Sequence, residues 1–140
     1  MKHTLRWAAL VLMSALLAAC AAGPGTGKSS SQAGVLRERV LERWNYLIEN
    51  NFHAAYEYLT PGYRATRPAQ AYAATAKAAA LDWTGVEWLR QECDTEDSCK
   101  VELVLNYQVR MPSVGKVPAV TSVEERWIRV DGQWYFLPER

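Results

Sequence analysis

The strongest constraint on this fold is the alternation over residues 100–111. Val101, Leu103, Leu105, Tyr107, Val109 and Met111 alternate with Lys100, Glu102, Asn106, Gln108 and Arg110, Val104 being the exception. Successive strand side chains point to opposite faces, so a period of two predicts a long strand with one buried face. Its antiparallel partner is the stretch 86–92, joined through the segment from Cys93 to Cys99. Setting Cys93 opposite Cys99 puts Glu92 against Lys100 and Arg90 against Glu102, two opposite-charge cross-strand pairs on one face. The same register sets Leu89 against Leu103, Gln91 against Val101 and Glu87 against Leu105 on the other.

Residues 120–130 resume strand character, and Asp131-Gly132 is a two-residue hairpin signal because both turn positions need positive φ. Counting back from it pairs Arg129 with Trp134, Ile128 with Tyr135 and Trp127 with Phe136, and lays Arg129 over the Trp134 ring. Residues 112–118 read as a longer connection carrying exposed-looking Val114 and Val117, loop apolars that either mark a partner site or, more commonly, tuck under the sheet.

The N-terminal half has helical spacing instead. Leu36, Val40, Trp44, Leu47 and Ile48 form one apolar stripe over residues 35–50, with Arg37, Glu38, Glu42 and Glu49 largely off it. Phe52, Ala55, Tyr56 and Leu59 mark a short second helix, which Thr60-Pro61-Gly62 stops. Pro68 suits the first turn of a third, alanine-rich helix running towards Ala80. Its few large side chains suggest close packing on a sheet. The fold class expected is α+β, three N-terminal helices on a curved antiparallel sheet of about four strands.

Ahead of these elements stands a basic start (Lys2, His3, Arg6), an apolar segment, and Leu17-Ala18-Ala19-Cys20. That tetrad resembles the lipobox of bacterial lipoproteins. The resemblance implies a leader over 1–19, a lipid on Cys20, a Gly/Ser-rich tether over 20–34 and one domain over 35–140. It also implies a lipid bilayer as partner, and a place in the cell envelope facing the periplasm. Ala21, a non-aspartate after the cysteine, favours the outer membrane. The apolar part is too short for a comfortable transmembrane helix, which needs roughly 18 residues or more. Losing the leader removes two of the 16 basic residues against 15 acidic ones, so net charge falls to about −1. Nucleic acid is thereby disfavoured, since its binders cluster basic excess. Residues 22–29, ending in Gly27-Lys28-Ser29, imitate a phosphate loop. They lack the preceding strand and following helix that make one, so no nucleotide is expected.

With Cys20 assigned to lipid in an oxidising envelope, Cys93 and Cys99 are left to form a disulfide. Two thiols and the distant His53 make a poor zinc site. Asp94, Glu96 and Asp97 lack the glycine and spacing of a calcium loop, so they read as a solvated hairpin tip. No metal or other cofactor is expected. His53, at a helix start, reads as exposed or capping rather than as a base.

The stretch Ala54-Ala55-Tyr56-Glu57-Tyr58-Leu59-Thr60-Pro61-Gly62-Tyr63-Arg64, with Trp44 upstream, resembles the early helices of nuclear transport factor 2-like domains. The ending Glu125-Arg126-Trp127-Ile128-Arg129-Val130-Asp131-Gly132-Gln133-Trp134-Tyr135-Phe136 is similar to that superfamily's last hairpin. The resemblance implies a cone with a pocket between helix and sheet, without implying one activity. Three functions fit: a binding or assembly module engaging another envelope protein, an isomerase- or dehydratase-like enzyme, and a non-catalytic binder of apolar ligands. The first is preferred, because no catalytic set is recognisable. For the enzyme, the register aims Glu87 at the face of Leu103, Leu105 and Tyr107, making Glu87 with Tyr107 the pocket candidates.

Overall fold

The computed structural model describes residues 26–79 and 81–139. Four helices precede four strands: α1 Thr26–Ile48, α2 Phe52–Tyr56, α3 Pro61–Thr66 and α4 Ala69–Ala79, then β1 Asp82–Thr95, β2 Ser98–Met111, β3 Gly115–Val130 and β4 Gln133–Leu137. The strands form one antiparallel meander in the order β1-β2-β3-β4. The architecture is therefore α+β, with one helix more than the three expected. The lipobox and residues 1–25 lie outside the described residues. α1 begins at Thr26, inside the stretch assigned to the tether.

The additional helix arises at Thr60-Pro61-Gly62, which starts one helix rather than only stopping another. Thr60 is the N-cap of α3, its hydroxyl accepting from the Tyr63 amide, and Pro61 takes the first turn. Proline is tolerated there because the first-turn N–H has no intrahelical partner to lose. α2 has its own cap, the Asn51 side chain accepting from the Ala54 amide at 3.2 Å. α4 packs on α2 rather than on the sheet, with the Tyr72 and Tyr56 rings 5.6 Å apart. Its alanines offer few large side chains to bury against the sheet, and Tyr72 packs on α2 instead.

α1 supplies the stripe that closes the core. Leu36 and Val40 are fully buried and Trp44 nearly so, against Val101, Leu103 and Leu105 of β2, Trp127 of β3 and Trp134 of β4. Burying a large apolar side chain stabilises by about 1.5–3 kcal/mol, so these eight residues account for much of the cohesion. The free edge of β4 is covered by the segment after α2. The Thr60 amide donates to the Phe136 carbonyl at 3.0 Å, and the Phe136 amide to the Tyr58 carbonyl at 2.7 Å. That parallel addition removes an exposed sheet edge.

The last hairpin has the expected register, Arg129 opposite Trp134, Ile128 opposite Tyr135 and Trp127 opposite Phe136. Asp131 (φ 51°) and Gly132 (φ 81°) occupy the left-handed region that the turn requires. The connection expected over residues 112–118 is instead a tight turn. Pairing continues to Met111 opposite Gly115, leaving only residues 112–114 unpaired, with Ser113 and Gly115 at positive φ. Of the two readings open for Val114 and Val117, exposure holds for Val114 at the tip, whereas Val117 is half-buried on β3.

The β1–β2 register holds only near the turn. Cys93 faces Cys99, Glu92 faces Lys100, Gln91 faces Val101 and Arg90 faces Glu102. A bulge then makes Leu89 an extra residue, so Trp88 rather than Leu89 faces Leu103 and Glu87 faces Val104 rather than Leu105. One inserted residue reverses the side chains beyond it, because the strand period is two, until a second irregularity between Trp83 and Gly85 restores the original phase. Trp88 and Val86 turn towards the core, whereas Leu89 is left 53% exposed.

Candidate functional site

The bulge separates the two pocket candidates. Glu87 is exposed on the face away from the helices and accepts from Asn106 Nδ2 at 3.1 Å. Tyr107 stays on the helix side, its ring 5.5 Å from Trp83. The structure does not bring the two together. His53 is exposed on α2.

The interior between α1 and the sheet holds a different polar set. Glu125 of β3 is 6% exposed and faces Arg43, itself 5% exposed, from α1. Arg43 Nη1 donates to Glu125 Oε1 at 2.8 Å, and Trp44 Nε1 donates to the same oxygen at 3.0 Å. Trp127 Nε1 donates to Oε2 at 2.9 Å. The guanidinium also lies 4.0 Å above the centre of the Phe136 ring. A buried charge is tolerable only when paired and hydrogen-bonded, and this carboxylate has three donors. Both oxygens being engaged, it is poorly placed to take a proton from a ligand. Trp127, Trp134 and Tyr58 fill the surrounding space.

Sequence reasoning missed this pair, although it left a trace. Arg43 stands three after Val40 and seven after Leu36, which places it on the buried stripe. Glu125 shares the phase of Val123 and Trp127. Two opposite charges in buried phases on different elements point to each other.

Beside this pair, Tyr58 extends the interior towards the surface. Burial first, and then its hydrogen bond with Glu42, push its phenol well above the ordinary tyrosine value. Arg39 lies 4.5 Å over the Tyr58 ring and donates through Nε to the Trp134 carbonyl at 2.8 Å.

Cys93 and Cys99 are joined by a disulfide across the β1–β2 pair, with Cα atoms 3.9 Å apart and Cys99 buried. The acidic tip beside it is tied to β3, Asp94 with Arg126 and Asp97 with Arg129, each at 2.7 Å. Arg129 also lies over the Trp134 ring, 5.7 Å from its centre.

An open cleft of about 230 Å³ lies where the C-terminus of α1 meets the start of β1 and the β2–β3 hairpin. Leu47, Ile48 and Asn50 line one side; Leu81, Asp82, Trp83, Thr84, Gln108 and Lys116 line the other. The Trp83 ring is held edge-on by Trp44 at 5.6 Å and by Tyr107 at 5.5 Å. Lys116 meets Asp82 at 2.6 Å. Its hydrogen bond and charge hold the Asp82 carboxyl below the usual range.

The fold and these sites define a small α+β protein with helices laid on a four-stranded antiparallel sheet. Two solved structures share that arrangement. One is the solution structure of a SEC-C motif-containing protein from Rhodopseudomonas palustris, with TM-score 0.56, 14% identity, and coverage of 83% of this chain and 92% of that one. The other is Aln2 from a Streptomyces species, with TM-score 0.55, 11% identity, and coverage of 76% and 85%. At such identities the likeness shows the fold alone. No protein-family model matches the chain, and no curated protein does.

Proposed function

We propose that this chain is an envelope lipoprotein, anchored by lipid on Cys20, whose domain is a binding or assembly module of the nuclear transport factor 2-like type. The observation that supports a module over an enzyme is the interior itself. Where a cone enzyme needs an open, dry pocket with an available base, aromatic side chains fill the space and Glu125 is held by three donors. Glu87 lies on the opposite face of the sheet from Tyr107. Open surfaces among the described residues include the cleft by Trp83 and the β2–β3 hairpin, where Met111 and Val114 are exposed.

Two measurements test this. Detergent phase partitioning of cells expressing the full chain places it with membranes, and Cys20→Ser moves it to the aqueous phase; an unchanged partition refutes the anchor. Crosslinking in intact cells followed by membrane pull-down recovers one reproducible envelope partner. Recovery of none across repeated preparations counts against the module.

A further inference from the structure

We infer that the tip of the β2–β3 hairpin is a second membrane contact, dipping into the headgroup boundary of a bilayer. The inference rests on the lipid-anchored reading and adds to it the orientation of the domain. β2 and β3 outrun the rest of the sheet. The last β1 pair is Asp82 opposite Gln108, whereas β2 and β3 stay paired through Val109 with Val117, Arg110 with Lys116 and Met111 with Gly115. These pairs make a two-stranded finger that reaches about 10 Å past β1. Such a ribbon is marginally stable by itself in water, yet this one presents apolar surface. Val109 is 38%, Met111 48% and Val114, at the tip, 70% exposed. A convex finger can enter another body or phase but cannot enclose a ligand.

Composition, charge and placement favour lipid over a protein pocket. Residues 109–118 contain no aromatic side chain, whereas protein interface cores are enriched in aromatic anchors. The turn suits apolar surroundings, because Pro112 has no N–H and the Val114 amide donates to the Met111 carbonyl at 3.3 Å. No acidic residue stands between Glu102 and Glu124 to repel an anionic headgroup. Arg110 and Lys116 face each other just behind the tip, on stems long enough to keep their charges in water. Asp82, at the base of the finger, bonds Lys116 at 2.6 Å and also feels Arg110, so the three leave one net positive charge.

Placement ties the finger to the anchor. α1 runs alongside β2: Arg37 lies over Trp88, which is opposite Leu103, and Trp44 meets Trp83, which is opposite Tyr107. The finger therefore lies beyond the C-terminal end of α1, one helix length of about 35 Å from Thr26. Val109 and Met111 share the phase of Leu105 and Tyr107, so they belong to the helix side, on which α1 leads back towards Cys20. An anchor at one end and a finger at the other, on the same side of the sheet, would lay α1 along the membrane plane instead of upright.

The test uses the protein purified from membranes and reconstituted in vesicles of phosphatidylethanolamine and phosphatidylglycerol. With Cys20 acylated and Cys93 joined to Cys99, Val114→Cys and Met111→Cys each offer one free thiol for a polarity-sensitive fluorophore. Val120→Cys, exposed on the opposite face of β3, is the control. Lipids carrying a nitroxide quencher in the acyl chain should quench the Val114 and Met111 labels at least threefold more than the Val120 label. Equal quenching at the three positions, or none while the protein still floats with the vesicles, overturns the finger and leaves the anchor standing. Protein that does not float with the vesicles overturns the anchor, and this inference with it. A Val114 label shielded in native membranes but quenched no more than the control in pure lipid assigns the finger to a protein partner and overturns the lipid contact.

Discussion

Glu125→Gln tests whether the buried ion pair is what fastens α1 to the sheet. Glutamine keeps the side-chain volume but removes the charge against which Arg43 is buried. It also turns one acceptor oxygen into an NH₂ group facing donors from Arg43, Trp44 or Trp127. Removing one member of a buried pair costs about 3–5 kcal/mol, because the survivor is left uncompensated. An orphaned indole N–H costs about 1–3 kcal/mol, and these effects share neighbours, so they do not add in full. The expected loss is about 4 kcal/mol against a total stability of roughly 5–15 kcal/mol. For a domain of this size the midpoint of thermal unfolding then falls by about 15–30 °C. Urea unfolding followed by far-ultraviolet dichroism measures the loss without relying on the two tryptophans whose surroundings change. Replacing Arg43 as well, Arg43→Met with Glu125→Gln, should recover part of the loss, since no charge is then stranded while the glutamine oxygen still accepts from one indole N–H. The reasoning is refuted if Glu125→Gln lies within about 1 kcal/mol of the wild type at equal m, or if the double variant is no more stable than the single one.

Reducing the disulfide should lower stability by about 2 kcal/mol, the chain-entropy value for so short a loop, which urea midpoints with and without dithiothreitol will show. Thr60→Ala removes the α3 cap and should cost about 0.5–2 kcal/mol by the same assay, whereas Thr60→Ser should retain most of it. Tyr58 gives an alkaline dependence. Its folded phenol stays neutral above the pH at which the unfolded one ionises, so its contribution is complete below about pH 10 and is lost as pH rises further. Tyr58→Phe should flatten the stability profile above pH 10, measured by unfolding in stepped alkaline buffers. Lys116→Gln should return the Asp82 carboxyl towards the ordinary aspartate range, as carboxyl NMR titration will report; an Asp82 that titrates as before would refute Lys116 as the cause.

What the sequence determined by itself was whatever depends on neighbours in the chain. The alternation around Leu103 marks a strand in any context, and Asp131-Gly132 fixes its hairpin because few residues tolerate positive φ at both positions. The α1 stripe names its own buried face, and the charges on residues 90, 92, 100 and 102 set the register beside the disulfide. Tertiary structure decided what depends on an accumulated count or on a distant partner. The Leu89 bulge has no local signature, since a strand with one more residue reads the same in sequence; it exists because Trp88 and Val86 fill the core better than Leu89 and Glu87 would. The same reversal put Glu87 and Tyr107 on opposite faces of the sheet. α4 lies on α2 because alanines present no face strong enough to choose the sheet. Arg43 and Glu125 are 82 residues apart and meet only after α1 has crossed the strands. Each of them looks like a solvated charge in sequence until the phase of its element shows that it must be buried.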